Sequence, residues 1–294
     1  RALNRNRHVF LERIRKEQIT MDIICGNHDT YYKNTNDLNS LKELLGHYMN
    51  EVHIIHEPTV MEYDSLKMGM IPWICADNYD KTMEFIKNAK CDWIGGHFEF
   101  AGFNVMRGVV APHGLDHKEL SRFERVLSGH FHTKSHKDNV TYLGTQMEFT
   151  WSDAGDPKFF HILDTETREL EAIQNNYTLF EKIVYNDEET DYNKYNVTNL
   201  DGKFVKIVVV NKKDIFTFDR FVDRIQNKKI HDLKIAENFD EFLGSNVEDE
   251  SVSIEETTEL LDTYIEAVET ELDKDRLKLS MRNLMTEAQA IETV

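Results

Sequence analysis

The sequence has little of what marks secreted or membrane-spanning proteins. It contains three scattered cysteines, Cys25, Cys75 and Cys91, with no Cys-x-x-Cys pair. We therefore expect reduced, mostly buried thiols rather than a disulfide framework. No run approaches the roughly 18 apolar residues that a membrane span needs. No signal peptide is evident either, so a cytoplasmic protein without membrane contact is predicted.

Basic residues are also too few to balance the acidic ones. Thirty-five Lys and Arg stand against 53 Asp and Glu, which gives a formal net charge of -18. A free-standing nucleic-acid binder is usually basic, because phosphate neutralisation drives its affinity. This chain is therefore not expected to grip DNA strongly unless a partner or metal ions supply positive charge. Its 40% hydrophobic and 11% aromatic content over 294 residues still predicts a packed globular protein.

Apolar periodicity predicts a mixed α/β order in the first half of the chain. Helices are predicted over 3–18, 38–48 and 81–89. Short strands are predicted over 21–25, 52–55, 60–63, 68–71, 93–94 and 126–127. Strands over 140–143, 159–163 and 170–173 are predicted to form an antiparallel sheet, with a hairpin turn at 164–167.

The pattern of apolar and polar residues changes after about residue 175. A strand over 204–210, a helix over 216–226 and a strand over 229–236 predict a small β-α-β unit. An acidic stretch that follows is typical of a linker. The last 41 residues, 254–294, carry two amphipathic helical stripes that either fold back on the main body or wait for a partner surface.

Three of the predicted strands run into glycine and then into histidine or asparagine. These strand ends read Gly26-Asn27-His28-Asp29, Gly95-Gly96-His97 and Gly129-His130-Phe131-His132. Asn, His and carboxylate side chains are ligands that manganese and iron prefer. A strand end fixes their direction, and glycine lets the backbone turn sharply. Each string alone is a weak signal, but the three together, in this order, predict a metal site at the strand ends.

This combination resembles the calcineurin-like metallophosphoesterases, and within them the DNA-repair branch of SbcD-type exonuclease subunits and phage recombination endonuclease subunits. Similar strings in phage members match Ile71-Pro72-Trp73, Tyr142-Leu143-Gly144-Thr145, Asp156-Pro157 and the 164–167 turn. The resemblance covers nearly the whole chain, strongly to about residue 175 and loosely beyond.

The resemblance implies an α/β fold, a four-layer α-β-β-α sandwich with a small β-α-β cap and a helical C-terminal tail. It implies a nuclease domain over 1–174, a capping, DNA-orienting domain over 175–238, an acidic linker over 239–250 and a partner-binding tail over 251–294. The implied function is that of a nuclease subunit of a double-strand-break repair or recombination complex. That complex would act as an exonuclease and endonuclease on DNA, in the host cytoplasm if the protein is phage-encoded.

Site roles also follow from the resemblance. Asn27, His97 and His130 are expected to ligate one divalent metal ion and His132 the other, with Mn²⁺ expected at both places. His28 is expected to contact the scissile phosphate and assist the leaving oxygen. The tail helices are expected to bind an SbcC-type, SMC-like ATPase, and the nuclease subunit is expected to form a homodimer in the complex.

The sequence departs from the family pattern in one serious respect. The family needs Asp-x-His and Gly-Asp-x-x-Asp motifs before the Asn-His pair, and neither occurs here. An N-terminally incomplete chain is the simplest interpretation, and these 294 residues alone are expected to bind Mn²⁺ weakly and to cut DNA poorly or not at all. Two alternatives stay open: a non-catalytic scaffold subunit of the same complex, and a metallophosphatase for another phosphoester.

Some further residues have two interpretations from sequence alone. His113 could approach the site or lie in a loop, and Glu99 could support the site from the strand face of His97 or be exposed. Trp73, Trp93 and Trp151 are predicted to be core residues rather than base-stacking platforms.

Overall fold

The computed structural model describes residues 2–48, 50–106 and 109–236, with Lys274, Arg276 and Lys278. The chain divides into two compact units. The first comprises residues 1–182, 196–205 and 224–233, and the second comprises 183–195, 206–223 and the described residues from 234 on. The predicted linker over 239–250 and nearly all of the predicted tail over 251–294 lie outside the described residues.

The first unit begins with a helical segment and a small parallel sheet. Its elements are α1 (Ala2–Asn6), a π-helical turn (Arg7–Leu11), α2 (Glu12–Lys16), β1 (Met21–Ile24), α3 (Ser40–Leu45) and β2 (Val52–Ile55). Strands β1 and β2 pair in parallel. Leu11, Tyr48 and Val52 form the buried core between these elements. Asn39 caps α3 by accepting a hydrogen bond from the Lys42 backbone N–H.

The main sheet follows, and its six strands are β3 (Thr59–Tyr63), β4 (Leu66–Ile71), β5 (Trp93–Gly96), β8 (Arg125–Ser128), β9 (Ser135–Lys137) and β10 (Val140–Tyr142). Between β4 and β5 lies α4 (Tyr79–Asn88), and between β5 and β8 lie β6 (Asn104–Met106) and β7 (Val109–Val110). The strand order is β3-β4-β5-β8-β10-β9, and β6 pairs with β7 separately. Strands β4, β5, β8 and β10 are parallel neighbours, while β3 and β9 are antiparallel edges. The carboxyl ends of β5 and β8 therefore lie side by side.

Buried aromatic and aliphatic side chains pack on this sheet and fix the chain just after β5. Ile94, Val126 and Tyr142 are fully buried members of that core. The Tyr142 hydroxyl donates to the Phe98 carbonyl and accepts from the Phe100 backbone N–H, both at 2.9 Å. Because the backbone after β5 is tied to β10 in this way, the β5 end is a rigid support for the residue that follows it.

A two-stranded hairpin lies beyond the main sheet. Strands β11 (Lys158–Leu163) and β12 (Leu170–Asn175) pair antiparallel. The predicted turn is confirmed, since the Asp164 carboxylate accepts hydrogen bonds from the backbone N–H groups of Glu166 and Thr167. One prediction was wrong: β10 does not join this hairpin. It pairs instead with β8 and β9, because its buried Val140 and Tyr142 belong to the core of the main sheet.

The remaining elements are β13 (Phe180–Asn186), β14 (Phe204–Asn211), α5 (Ile215–Gln226) and β15 (Asp232–Ala236), with the sheet order β13-β14-β15. The predicted β-α-β unit is present as β14-α5-β15, with β13 added beside β14. Within the second unit, Tyr185, Tyr192 and Phe221 pack ring against ring at centroid distances of 4.1–5.8 Å.

The predicted α/β fold class is thus confirmed. No helix among the described residues is both long enough and apolar enough to cross a membrane.

Candidate functional site

The three strand ends singled out in the sequence meet in the first unit. His97 follows β5 directly, and His130 lies two residues after β8, its parallel neighbour. The Gly129 N–H donates to the Gly96 carbonyl at 3.2 Å and holds the two ends together. The end of β1 is tied to the end of β4, the parallel neighbour of β5, by a hydrogen bond from the Trp73 N–H to the Cys25 carbonyl at 2.8 Å. Strand pairing and these loop hydrogen bonds therefore bring sequence-distant residues to one place.

Asn27, His97 and His130 form what we call the strand-end cluster. The Nε2 atom of His97 lies 2.8 Å from Asn27 Oδ1 and 3.0 Å from His130 Nδ1. The two imidazole rings meet edge to face, with centroids 4.9 Å apart and an interplanar angle of 84°. His97 Nε2 thus lies within hydrogen-bond distance of two other atoms of the kind that ligate borderline divalent metals.

Glycine at position 26 lets the His97 ring lie close to the backbone of the residue that precedes Asn27. A Cβ atom at this position would lie 3.1–3.3 Å from three atoms of the His97 ring. The turn itself is closed by the Asp29 carboxylate, which accepts from the Gly26 N–H at 2.8 Å. The glycine of this motif thus makes room for a histidine that lies 71 residues later.

Burial keeps both histidines of the cluster neutral at ordinary pH. The pKa of His97 is lowered to about 4, mainly by burial and further by the nearby His28 and His132. The pKa of His130 is lowered to about 3, again mainly by burial, with His97, His28 and His132 adding to the effect. A neutral imidazole has a free lone pair on one nitrogen, so the site keeps these rings ready to act as ligands.

Trp73 is a member of the site that the sequence interpretation assigned to the core. Its indole stacks on the His130 ring at 5.3 Å and meets the His97 ring edge-on at 5.9 Å. The side chain is half-buried, whereas Trp93 is fully buried, as predicted for a core residue. Trp73 therefore holds the orientation of both imidazoles.

The other candidate residues lie in different surroundings. His28 is exposed, and its charge reaches both histidines of the strand-end cluster. Glu99 Oε2 lies 3.9 Å from His130 Nε2, on the opposite side of that ring from the Nδ1 atom that contacts His97. This distance is longer than a hydrogen bond. His113 is an exposed residue of the loop after β7.

His132 is held by a separate group, which we call the loop cluster and which consists of His132, Asp153 and Lys158. His132 Nδ1 lies 3.2 Å from both carboxylate oxygens of Asp153. Lys158 Nζ donates to Asp153 Oδ1 at 2.7 Å, and the two side chains are 2% and 3% exposed. Burial raises the pKa of Asp153, but hydrogen bonds from His132, Lys158 and the Phe149 N–H outweigh it and hold the pKa below its usual range.

Sequence reasoning missed Asp153, Lys158 and Phe149. Phe149 meets the His132 ring at 6.0 Å and is 50% exposed. These residues belong to the segment between β10 and β11 and to the start of β11, where no glycine-histidine string marks them. An available signal was Asp156-Pro157, which lies next to Lys158 and was singled out in the sequence.

The donor chemistry of the strand-end cluster fits part of a divalent metal site, with one amide oxygen and two neutral imidazoles. Among the described residues, no set of three or more His, Cys, Asp and Glu side chains is arranged to hold a metal ion. The cluster thus supplies neutral ligands without a carboxylate.

Most of the chain is similar in sequence to a phage protein. No protein-family model matches the chain. The chain is similar to exonuclease subunit 1 of Enterobacteria phage T4, with 34% identity over 260 residues, which are 88% of this chain and 73% of the phage protein. This identity and coverage show that the chain belongs to the protein family of the phage T4 exonuclease subunit.

Proposed function

We propose that the protein is the nuclease subunit of a DNA repair or recombination complex and that it hydrolyses DNA phosphodiesters as a metallophosphoesterase. The observation that carries the proposal is the strand-end cluster. In it, His97 Nε2 lies within hydrogen-bond distance of both Asn27 Oδ1 and His130 Nδ1. The four-layer sandwich expected for such enzymes is part of the same proposal.

The strand-end cluster would hold one divalent ion, for which Mn²⁺ is our candidate, and His132 would contribute to holding a second. Two such ions polarise a phosphodiester and make hydroxide available near neutral pH. Asn27, His97 and His130 contribute by keeping neutral donor atoms on rigid strand ends. The sequence lacks the Asp-x-His and Gly-Asp-x-x-Asp motifs, so we propose that these 294 residues alone have weak activity.

His28 would act on the scissile phosphate. It follows Asn27 directly, is exposed, and is close enough to influence both histidines of the strand-end cluster through its charge. An imidazole in that position can hydrogen-bond a phosphate oxygen and give a proton to the leaving oxygen.

Two features support DNA rather than a small phosphoester as the substrate. The similar phage protein is named an exonuclease subunit. Exposed aromatic side chains are the second feature. Tyr31 and Tyr32, 75% and 53% exposed, follow the Asn27-His28-Asp29 string closely in the sequence. The exposed Phe149 ring contacts His132 in space. Exposed aromatic rings give bases a stacking surface.

The name of the relative and the charge of this chain both support a complex. A subunit implies at least one partner, and a chain with a net charge of -18 gains most from a partner that supplies DNA contacts. We propose an SMC-like ATPase of the SbcC type, bound through residues 251–294, and a homodimer of this chain. Deletion of 251–294 should abolish co-purification with that ATPase and leave the metal site unchanged.

The central test is hydrolysis of a DNA oligonucleotide with Mn²⁺ by the full-length natural product. We expect cleavage that EDTA abolishes and that His130→Ala lowers by 100-fold or more, about the effect of losing one group of a catalytic set. His136→Ala is the matched control, since His136 is exposed on the edge strand β9 and its Nδ1 bonds the Thr141 hydroxyl. Equal activity of wild type and His130→Ala would overturn the proposal.

The substrate class needs a second assay. Bis(p-nitrophenyl) phosphate reports phosphodiester hydrolysis without bases to stack. We expect both substrates to be cleaved, with DNA strongly preferred. Turnover of the small phosphodiester or of a phosphomonoester without DNA cleavage would favour a metallophosphatase. No turnover of any substrate, with intact folding, would favour a scaffold subunit.

A further inference from the structure

The loop cluster has a feature that the strand-end cluster lacks: a buried ionised side chain that faces a histidine nitrogen. Asp153 Oδ1 and Oδ2 are each 3.2 Å from His132 Nδ1. The contact is long-range in sequence, because 21 residues separate the two side chains. The His132 ring is therefore oriented by a different part of the chain from the strand end that carries it.

Asp153 is surrounded by donors. Besides Lys158 Nζ at 2.7 Å, its Oδ2 accepts from the backbone N–H groups of Phe149 and Thr150 at 2.9 Å and from the Thr150 hydroxyl at 3.2 Å. A carboxylate in this setting can only accept hydrogen bonds. His132 Nδ1 must then carry the proton of that contact. In a ring with a single proton, Nε2 is therefore the atom with the lone pair.

The segment that carries Asp153 is itself fixed within the first unit. The Glu148 side chain, 1% exposed, accepts from the backbone N–H groups of Gly155, Leu179 and Phe180. The His132 carbonyl accepts from Lys158 Nζ at 3.2 Å and from the Thr145 N–H at 3.1 Å. Both the carboxylate and the backbone of the histidine are thus held in one place.

We propose that Asp153, supported by Lys158, is a positioning residue that fixes the Nδ1–H tautomer of His132 and presents Nε2 as the ligand atom for a divalent cation. A carboxylate behind a metal-ligating histidine fixes the ring orientation and raises its basicity. The cation-binding part of this inference rests on the proposed function. The tautomer part rests only on the geometry of the loop cluster.

The test is a long-range ¹H–¹⁵N correlation spectrum of the metal-free chain labelled with ¹⁵N-histidine, because the ring ¹⁵N shifts distinguish protonated from unprotonated nitrogen. We expect His132, assigned through loss of its signals in His132→Gln, to carry its proton on Nδ1. A wild-type ring with the proton on Nε2 would overturn the proposal whatever any variant does.

Asp153→Asn removes the charge and places an N–H donor at one of the two oxygen positions. We expect the Nε2–H form to become populated, whereas Asp156→Asn should leave the tautomer unchanged. Asp156 is the matched control because its carboxylate contacts the same Lys158 Nζ at 3.0 Å, while the two oxygens that face His132 Nδ1 belong to Asp153. An unchanged tautomer in folded Asp153→Asn would also overturn the proposal.

The metal arm of the test separates this inference from the proposed function. Mn²⁺ titration of the full-length natural product should show about tenfold or greater loss of affinity in Asp153→Asn, with no loss in Asp156→Asn. The predicted tautomer together with no Mn²⁺ binding by wild type would sink the proposed function and leave the role of Asp153 in orienting His132 standing. If Asp153→Asn binds Mn²⁺ with the affinity of wild type, the proposal that Asp153 positions His132 for the cation is overturned.

Discussion

His130 and His132 are two residues apart in the chain, yet different kinds of structure hold their rings. His130 is held by a strand end, by the His97 imidazole and by stacking on Trp73. His132 is held by Asp153, whose charge is balanced by Lys158 in a nearly solvent-free position. The strand-end cluster is neutral and depends on desolvation, whereas the loop cluster is ionic and depends on a satisfied hydrogen-bond network.

This difference determines how each cluster should fail. A cluster of neutral, desolvated imidazoles is sensitive to protonation and to small shifts of its rings. A buried ion pair is sensitive to the removal of either partner, because the remaining charge is left uncompensated. Substitutions in the two clusters should therefore produce different signatures, and four of them test the comparison.

The largest effect is expected from Lys158→Ala. It leaves Asp153 buried without its cation, which should lower the free energy of unfolding by about 3 kcal/mol. Urea denaturation measures the change. Lys81→Ala is the control, because Lys81 and Glu57 form an exposed pair and an exposed pair contributes about 0–1 kcal/mol. Equal losses in the two variants would mean that the loop cluster is not a buried ionic support.

The pH dependence of stability should separate the clusters next. The pKa of His130 is about 3 in the folded protein, below the ordinary 6.5, so the unfolded chain binds more protons between these values. The free energy of unfolding is therefore not reduced by His130 well above pH 6.5, and it falls as the pH decreases from 6.5 towards 3. Asp153, whose pKa is also lowered, loses its contribution only below about pH 4.

His130→Gln tests this assignment. Between pH 6.5 and 5.0, wild type should lose about 1.6 kcal/mol more stability than the variant. The slope approaches about 1.4 kcal/mol for each pH unit only once the unfolded histidine is mostly protonated. Urea denaturation across that range gives the two slopes. His136→Gln, at an exposed position, should keep the wild-type slope. A His130→Gln slope equal to that of wild type would contradict the desolvated state of the strand-end cluster.

A smaller effect is expected from Gly26→Ala. The new Cβ atom would come within 3.1–3.3 Å of the His97 ring and displace it by a few tenths of an ångström. We expect about tenfold weaker Mn²⁺ binding by the full-length natural product, the size of a lost supporting contact. Gly46→Ala is the control, since a Cβ atom there would have no neighbour within 4 Å. Unchanged Mn²⁺ affinity in Gly26→Ala would show that the His97 ring can shift without weakening metal binding.

The smallest effect is expected from Phe149→Ala. This side chain contacts His132 and is 50% exposed, so its removal should cost a stacked base about 1 kcal/mol, or about fivefold in KM for DNA. Hydrolysis of bis(p-nitrophenyl) phosphate should stay within about twofold of wild type, because that substrate has no base to stack. Parallel losses on both substrates would mean that Phe149 supports the His132 ring rather than the DNA.

Much of the fold follows from local patterns. Strand 52–55 is predicted and observed with the same bounds, and the helix predicted over 216–226 is observed at Ile215–Gln226. Strands such as β9 were missed because Ser135–Lys137 has no apolar alternation and pairs only as an edge of the main sheet. The π-helical turn at Arg7–Leu11 likewise has no pattern in the sequence that distinguishes it from the α-helix predicted there.

The site divides in the same way. Asn27, His97 and His130 could be predicted to meet because each follows an apolar strand and a glycine, and strand ends are local features. The partnership of His132 with Asp153 could not be predicted. Asp153 is one of 53 acidic residues, and only the tertiary fold distinguishes it from the solvated ones. Long-range side-chain pairing is information that periodicity does not contain.

The most direct test of the proposal that both clusters bind metal is anomalous diffraction at the manganese edge from crystals of the full-length natural product soaked in Mn²⁺. We predict an anomalous peak within about 2.3 Å of His97 Nε2 and His130 Nδ1, with Asn27 Oδ1 completing that side. A second peak is predicted at Nε2 of His132, on the far side of the ring from Asp153. Ordered rings with no peak at either cluster, or a peak only on the Glu99 side of His130, would contradict the proposed site.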